Sequence, residues 1–430
     1  MSGEGRRSER PPLPRGPYLV VGLARSGAAA MRLLAEHGEA IGVDSGEPPG
    51  ARELPNAHLG ADGVELLESV RTVVKSPGVP REAPVIAEAL RRGIEVTGEL
   101  EIAWRLLPND FVAITGTNGK TTTTELLGAI HRTAGIPVAV AGNVGTPLAS
   151  LAGRIEPDAV VVAEASSFQL EDSSAFAPDA AVLLNLAPDH LDRHHTLDAY
   201  RAAKLRIFAN QGPDQVAVIP PGVEVPGAGR RIAFGEEHLA GAEVRLRGPH
   251  NRENAMAAAA AALARGIDPD AIRSALASFA GVPHRLEEVA IRDGVTYVND
   301  SKATNVASAT VGIRAFEGGV HAILGGSLKG GGFADLRAPV QERCAAVYLI
   351  GEAAGEIERD LAGAAPITRS GHLERAVADA RAAARPGDTV LLSPACASYD
   401  QYANYEERGD HFRALATGRA ASPAAGGESA

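Results

Sequence analysis

A chain of 430 residues with a net charge of −11 offers no basic surface for broad nucleic-acid binding, so anionic ligands must be held by loops and single cations. Its 45% hydrophobic and 22% charged residues describe a globular protein with room for two or three cores, built mainly from Ala, Val, Leu and Ile because aromatics make up only 4%. Two cysteines without metal-type spacing, Cys344 and Cys396, point to a reducing compartment, and no apolar run reaches the ~18 residues that would suggest membrane insertion.

Residues 1–17 are polar, rich in Arg and Pro, and lack the apolar stretch of a signal peptide. A disordered tail is expected there, and another in the Ala/Gly/Ser-rich end, 419–430. Tyr18 to Val21 reads as a short buried strand, followed by a glycine turn and a helical pattern from Ala28 to His37. Ala40 to Asp44 is the next strand, so a Rossmann-like βαβ unit begins the fold. Its glycines, Gly22 and Gly27, are spaced G-x-x-x-x-G and not G-x-G-x-x-G. Asp44 stands where a ribose partner would, and a Rossmann-type half without a dinucleotide is an equal reading. A strand over Val70–Val74 closes in Lys75-Ser-Pro-Gly-Val79, at the end where open α/β sheets bind ligands. Helix Val85–Arg92, strand Ile94–Val96 and helix Glu99–Leu107 lead to a boundary at Pro108-Asn-Asp110.

The second segment opens with a strand, Phe111 to Ile114, a turn containing Gly116-Thr-Asn-Gly-Lys-Thr121, and an amphipathic stretch, Thr122 to Thr133. Strand, glycine turn, Lys-Thr and helix is how a phosphate loop is built: small residues let backbone N–H groups approach phosphate oxygens, and the helix N-terminus adds positive partial charge. Lys120 supplies a point charge and the Thr121 hydroxyl can ligate Mg2+. Ile114 stands where the usual pattern has a further Gly, and an ordinary Gly-Thr turn is the rival reading. Ala159–Ala163 is apolar enough to lie inside a parallel sheet. Glu164 follows at its C-terminal end, as a Mg2+ ligand beside the loop or as a solvated strand end. His190 lies past another buried strand, Ala180–Leu186, where a lone histidine is commonly structural. Lys204 sits on a helix from Tyr200 to Asn210, and an Ala-rich helix starts at His250-Asn-Arg-Glu-Asn254. After a linker, Gly281 to Arg285, strands at Val295–Tyr297, Val320–Leu324, Ala346–Ile350 and Thr389–Leu392 alternate with helices in a third α/β segment. Asn299-Asp-Ser-Lys-Ala-Thr-Asn305 is far more polar than a turn requires.

Gly116–Thr121, Glu164-Ala-Ser-Ser-Phe-Gln-Leu170, Asn185–Arg193, Tyr200-Arg-Ala-Ala-Lys-Leu-Arg206, His250–Asn254, Pro283-His-Arg285, Asn299–Asn305 and Leu392–Gly409 occur together and in order. This set, spread over roughly residues 18 to 415, resembles the Mur ligases of bacterial cell-wall synthesis. The resemblance implies three consecutive open α/β domains: a Rossmann-like domain for a UDP-sugar at 18–108, a P-loop-type ATP domain at 109–282 and a Rossmann-like amino-acid domain at 283–418. It implies a cytoplasmic, monomeric ligase joining D-glutamate to UDP-MurNAc-L-alanine through an acyl phosphate, with ATP, two Mg2+ and a lysine carbamate formed from CO2. Gly116, Thr117, Asn118, Gly119, Lys120, Thr121 and Thr122 would then hold the ATP phosphates, with Asn254, Arg285 and Asp300 on base, phosphates and ribose, so that ATP bridges two domains. Thr121, Glu164, His190 and carbamylated Lys204 would serve the metals. Arg25, Ser26, Asp44, Ser45 and Gly78 would meet the UDP end, and Asn143 and Gln169 the sugar-peptide end. Lys302, Thr304, Lys329, Ser398 and Tyr405 would lie on the D-glutamate side. One departure stands in the Gly-Gly loop, where Ser327 replaces an acidic residue of some relatives. A different amide ligase of the same superfamily, or a non-catalytic nucleotide-binding scaffold, are the alternatives; the scaffold should lack some of Glu164, His190 and Lys204, all of which are present.

Overall fold

The computed structural model describes residues 10–246, 248–328 and 332–418, in which three open α/β sheets follow one another along the chain. Two compact units divide it, one of Met1–Arg245 with His250–Phe279 and one of Leu246–Pro249 with Ala280–Ala430. The first unit holds two sheets and the second holds one.

The first sheet contains β1 (Tyr18–Val21), β2 (Ala40–Asp44), β3 (Ala57–Leu59), β4 (Thr72–Lys75) and β5 (Glu95–Gly98), all parallel, in the order β3-β2-β1-β4-β5. The chain winds outward from β1 to β3, then returns to β4 on the other side. The switch point therefore lies between β1 and β4, where open sheets bind ligands. Their two loops touch there: Ser76 Oγ donates to Gly22 O at 2.6 Å. Gly22 has φ +86°, and a Cβ on it would meet Val79 Cγ2 at 2.7 Å, so the approach requires glycine.

Residues 10–17 differ from the expected tail. The Arg10 guanidinium lies over the rings of Trp104 and Phe111 and donates to the carbonyls of Trp104, Leu107 and Asn109. The end of helix Glu99–Leu106 leaves carbonyls without intrahelical donors, and Arg10 supplies them. Pro14 O accepts from the Tyr18 hydroxyl and Arg15 O from Thr72 Oγ1. The first nine residues and 419–430 lie outside the described residues.

The second sheet contains β6 (Phe111–Thr115), β7 (Val138–Gly142), β8 (Val160–Glu164), β9 (Ala180–Leu183), β10 (Val216–Ile219) and β11 (Arg230–Ala233), again parallel, in the order β11-β10-β9-β6-β8-β7. All five residues of β6 are buried, as a strand covered on both faces must be. Helix Pro249–Ala264 buries Ala255 and Ala257–Ala262 in one core with Val112, Ile114 and Leu127. Alanine gives up no side-chain entropy there and lets the helix approach the sheet closely.

The third sheet contains β12 (Glu287–Arg292), β13 (Val295–Asn299), β14 (Val320–Gly325), β15 (Cys344–Ile350), β16 (Ile367–Gly371) and β17 (Thr389–Leu392), in the order β12-β13-β17-β14-β15-β16. It is not wholly parallel, because β12 runs antiparallel to β13. Asp293 and Gly294 join them with φ +52° and +77°, the positive pair that an Asp-Gly hairpin turn supplies. No described helix is long and apolar enough to cross a membrane.

Candidate active site

The phosphate loop bends around the end of β6. Gly119, at φ +86°, is the N-cap of helix Lys120–Thr133, and a Cβ on it would meet Asn254 Oδ1 at 2.1 Å. Asn254, at the start of the Ala-rich helix, is thereby pressed against the loop. On the β9 side, Asn118 N donates to Asn185 Oδ1 at 2.9 Å, and Asn185 Nδ2 donates back to Asn118 O. Thr117 N donates to Asn185 O, and Ala187 N to Thr117 Oγ1. The loop is thus fixed in shape by Asn185 and Asn254 before any phosphate is considered. Lys120 Nζ donates to Gly116 O and Thr117 O, both at 2.8 Å, which holds its ammonium against the turn. Beside Asn185 a cavity of about 540 Å³ opens at the C-terminal rim of β9 and β10, with Pro220, Phe234, Glu253 and Met256 among its walls.

Glu164 ends β8 in register with Ile114 of β6 and Gly142 of β7. It is 2% exposed, and its Oε1 accepts from Asn143 Nδ2 at 2.9 Å. Two predicted site residues, Glu164 and Asn143, therefore meet beside the strand that carries the loop. Among the described residues no three His, Cys, Asp or Glu side chains converge to cage a metal by themselves. A threonine hydroxyl and one carboxylate fit Mg2+, which takes few protein oxygens and completes its shell with phosphate oxygens and water.

Lys204 is not a surface residue. Helix Leu197–Ala209, capped by Thr196, buries Tyr200, Ala203, Lys204, Ile207 and Phe208. Lys204 Nζ donates to Gly116 O at 2.7 Å and lies 4.6 Å from the centre of the Tyr200 ring. The same carbonyl receives Lys120. Burial, reinforced by the Lys120 charge, brings the Lys204 ammonium down from its ordinary 10.5 to about 7; Asp189 and Glu164 oppose that shift. The Tyr200 hydroxyl sits 3.1 Å from Thr117 Oγ1, so Tyr200 braces both the loop and the lysine.

His190 lies in the loop that follows β9. It has φ +50°, an uncommon backbone for a residue with a side chain, and its ring is about half exposed. The Phe168 ring meets it edge-on at 4.9 Å. Gln169 spends its side-chain oxygen on Ser166 N, closing a capping box at the start of the short helix Ser167–Leu170.

In the first sheet, Asp44 uses both carboxylate oxygens on backbone, accepting from Leu23 N at 2.6 Å and Gly46 N at 2.8 Å. It shapes the glycine turn, a role the sequence left open beside ribose binding. Arg25 donates to Gly145 O, two residues beyond Asn143. Ser26 is half-buried, and Ser45 and Gly78 are exposed around the same switch point.

The second unit gathers its candidates at the ends of β13, β14 and β17. Asp300 is 5% exposed and accepts from Leu286 N and Ser393 Oγ. Burial pushes its carboxyl up to about 7, against the pull of Ser393 and Arg285. Lys302 Nζ lies 5.8 Å from the Tyr405 ring centre, with Thr304 half-buried nearby in sequence. Ser398 is buried, and its neighbour Ala397 accepts from Ser327 N. Ser327 Oγ and Asp400 bond to each other, so a carboxylate is present beside this loop although position 327 lacks one. Lys329 lies outside the described residues. Sequence reasoning missed Arg408: it is 1% exposed and donates to Ser301 Oγ and to the carbonyls of Ser301, Cys396 and Ala397. It thereby ties the Asn299–Asn305 turn to the Ser398 loop. A buried arginine surrounded by carbonyls has no local sequence signal.

Three family models match in chain order: the N-terminal domain of the MurD-like Mur ligases over residues 17–98, the Mur ligase middle domain over 114–226, and the glutamate ligase domain of Mur ligases over 284–396. The chain is 42% identical over 447 residues to a UDP-N-acetylmuramoylalanine–D-glutamate ligase of Pelotomaculum thermopropionicum, with 93% of this chain and 97% of the relative covered. It is 44% identical to the ligase of the same name from Anaeromyxobacter dehalogenans, with the same coverage. Among solved structures, the MurF ligase from Thermotoga maritima in complex with ADP shares the fold at 18% identity, with a TM-score of 0.58, over 92% of this chain and 93% of that one.

Proposed function

The chain belongs to the Mur ligase family, and from that premise we propose that it joins D-glutamate to UDP-N-acetylmuramoyl-L-alanine in peptidoglycan precursor synthesis, converting ATP to ADP and phosphate. The observation that carries this reading is a phosphate loop whose Gly116 carbonyl accepts from both Lys120 and a buried Lys204, in a chain over 40% identical to D-glutamate ligases along nearly its whole length. It works as a monomer in the cytoplasm, with residues 18–108 taking the sugar nucleotide, 109–282 ATP and 283–418 D-glutamate.

A carboxylate does not acylate an amine at neutral pH, because oxide would have to leave. In the proposed reaction the L-alanyl carboxylate oxygen attacks the γ-phosphorus and ADP departs. The D-glutamate amine then attacks the acyl carbon, gives up a proton, and phosphate is expelled from the tetrahedral intermediate. The protein's part is positioning and charge stabilisation. Backbone N–H groups of Gly116–Thr122 and the Lys120 ammonium hold the β- and γ-phosphates. Apolar walls at Pro220, Phe234 and Met256 accept the base, near Asn254. Arg285 and Asp300 are assigned to the phosphates and ribose. Arg25, Ser26, Asp44, Ser45 and Gly78 are assigned to the UDP end, and Asn143 and Gln169 to the sugar-peptide end. Lys302, Thr304, Lys329, Ser398 and Tyr405 take D-glutamate, where cations and a hydroxyl suit a dicarboxylate.

Thr121 and Glu164 would hold one Mg2+ and His190 a second; such ions draw charge from the transferring phosphoryl oxygens. The Lys204 amine, brought down to about 7 chiefly by burial, has a neutral fraction at physiological pH that can add CO2 and become a carbamate, an anionic group compatible with neighbouring dications. The test is amino-acid-dependent phosphate release. Release is expected only with UDP-MurNAc-L-alanine and D-glutamate together, and equal turnover with L-lysine or meso-diaminopimelate would refute the assignment.

A further inference from the structure

Between the first-domain turn Lys75–Val79 and the phosphate loop runs an unbroken series of contacts. Val79 O accepts from Lys75 Nζ at 3.0 Å and from Arg193 Nη2 at 2.8 Å. Lys75, 1% exposed, pairs with Asp172 at 2.7 Å and with Glu171 at 3.5 Å. Glu171 also accepts from Arg193 at 3.1 Å. The Arg193 guanidinium lies 4.7 Å from the centre of the Phe168 ring. The same ring has His194 stacked at 5.3 Å and His190 edge-on at 4.9 Å. His194 is fixed in turn by Ser167 Oγ at 2.9 Å and by the Tyr200 ring at 5.4 Å. Tyr200 reaches Thr117 of the phosphate loop.

His190 needs such support. Its backbone is in the left-handed region, its ring is about half exposed, and among the described residues the ring contacts are the Asp189 carboxylate at 3.5 Å, Phe168 and, at 6.4 Å, Tyr200. Phe168 is therefore the ring that packs against the imidazole, beside the Asp189 carboxylate, and Arg193 is the cation that packs on Phe168. Arg193 directs its Nη2 to Val79 O, which belongs to the ligand-end turn of the first sheet, and to Glu171. A lysine could keep the ion pair, but only a planar guanidinium can lie on the ring and reach Val79 together.

We propose that Arg193 is a positioning residue that couples the Lys75–Val79 turn to His190 through Phe168, so that occupancy of the sugar-nucleotide turn orients the imidazole toward its metal. The proposal rests on the metal role of His190 given above. It gives a role to an arginine and a phenylalanine to which the assignments above give none. The chemical consequence is that the phosphoryl-transfer site is completed when its carboxylate acceptor is in place, which limits ATP hydrolysis without product.

The test is direct Mn2+ binding, followed by the electron paramagnetic resonance of free Mn2+, with a non-hydrolysable ATP analogue and with or without UDP-MurNAc-L-alanine. Wild type, Arg193→Lys, Phe168→Leu and His190→Ala are compared, and kcat and KM are measured for each substrate. In the wild type the sugar nucleotide should tighten Mn2+ binding. Arg193→Lys and Phe168→Leu should bind Mn2+ about 10–100-fold more weakly with the sugar nucleotide present, the range expected for partners that orient a ligand. They should lose that tightening and lower kcat in step, while the KM for ATP stays within about twofold, and the double variant should be no worse than the worse single one. Wild-type Mn2+ binding in Arg193→Lys and Phe168→Leu overturns the proposal. If His190→Ala alone weakens binding, the failure is confined to Arg193; if His190→Ala also binds normally, the metal role of His190 falls with it. A loss that appears equally in every KM together with a lowered melting temperature would mark a merely structural role and overturn it too.

Discussion

Replacing Glu99 by glutamine should change how the stability of the first unit depends on pH. Glu99 opens helix Glu99–Leu106 and is 2% exposed. Its Oε1 accepts from Ala149 N at 2.6 Å, whereas Oε2 is buried without a hydrogen-bond partner. Burial dominates and pushes its carboxyl from 4.5 up to about 7, partly offset by the N–H groups of Ala149 and Leu148. Below pH 4.5 the group is protonated both folded and unfolded and contributes no pH dependence. Between pH 4.5 and 7 only the folded state keeps the proton, so stability falls as pH rises. Above pH 7 the buried charge costs about 3 kcal/mol, at ~1.4 kcal/mol per pH unit. Glutamine keeps the acceptor for Ala149 and cannot ionise. The stability of Glu99→Gln relative to wild type should therefore rise by about 3 kcal/mol from pH 4.5 to pH 8. The single tryptophan, Trp104, lies on the same helix and is buried, so its fluorescence in urea titrations at several pH values reports the relevant transition. Parallel pH profiles for the two proteins would refute the reasoning.

Two further outcomes follow from the phosphate-loop region. Lys204→Ala should lose most ligase activity and regain part of it with acetate or another short carboxylate, which can stand in for a carbamate; no recovery at any concentration would count against carbamylation. Gly119→Ala should weaken binding of a fluorescent ATP analogue at least tenfold, because a residue at φ +86° is strained by ~1–2 kcal/mol and its Cβ would displace Asn254; unchanged affinity would show that the loop's shape is not what binds the phosphates.

What could be read from the sequence was mostly what is local. The phosphate loop is one contiguous run in which strand, glycine turn and helix each have their own signal, and the structure places each where that signal does. The Asp293-Gly294 turn was equally legible, since a two-residue Asp-Gly link between apolar stretches is a hairpin signal, yet the expectation of βα alternation concealed it. Arg10 and Arg408 belong to another class. Each satisfies carbonyls far away in the chain, Arg10 those of Trp104 and Asn109 and Arg408 that of Ser301, and no periodicity reports such a pairing. Glu164 lies between: the strand end was legible, but its register against Ile114 and Gly142 arises from the order of strands in the sheet.

Lys204 shows how far a local reading can be carried. Tyr200, Ala203, Lys204, Ile207 and Phe208 fall at i, i+3, i+4, i+7 and i+8, the stripe that an amphipathic helix turns inward. A lysine on that stripe must either reach out to solvent or find a buried acceptor. The structure gives it the Gly116 carbonyl, the same oxygen that Lys120 uses. Two ammonium groups on one oxygen repel each other, and Lys204 is the more deeply buried of the two. Burial first, and the Lys120 charge second, bring the Lys204 amine down to about 7, and the neutral amine is the form that reacts with CO2. The reactivity proposed for Lys204 thus follows from its burial beside the loop: the bend that would present backbone N–H groups to phosphate also aims one carbonyl inward, where both lysines converge on it.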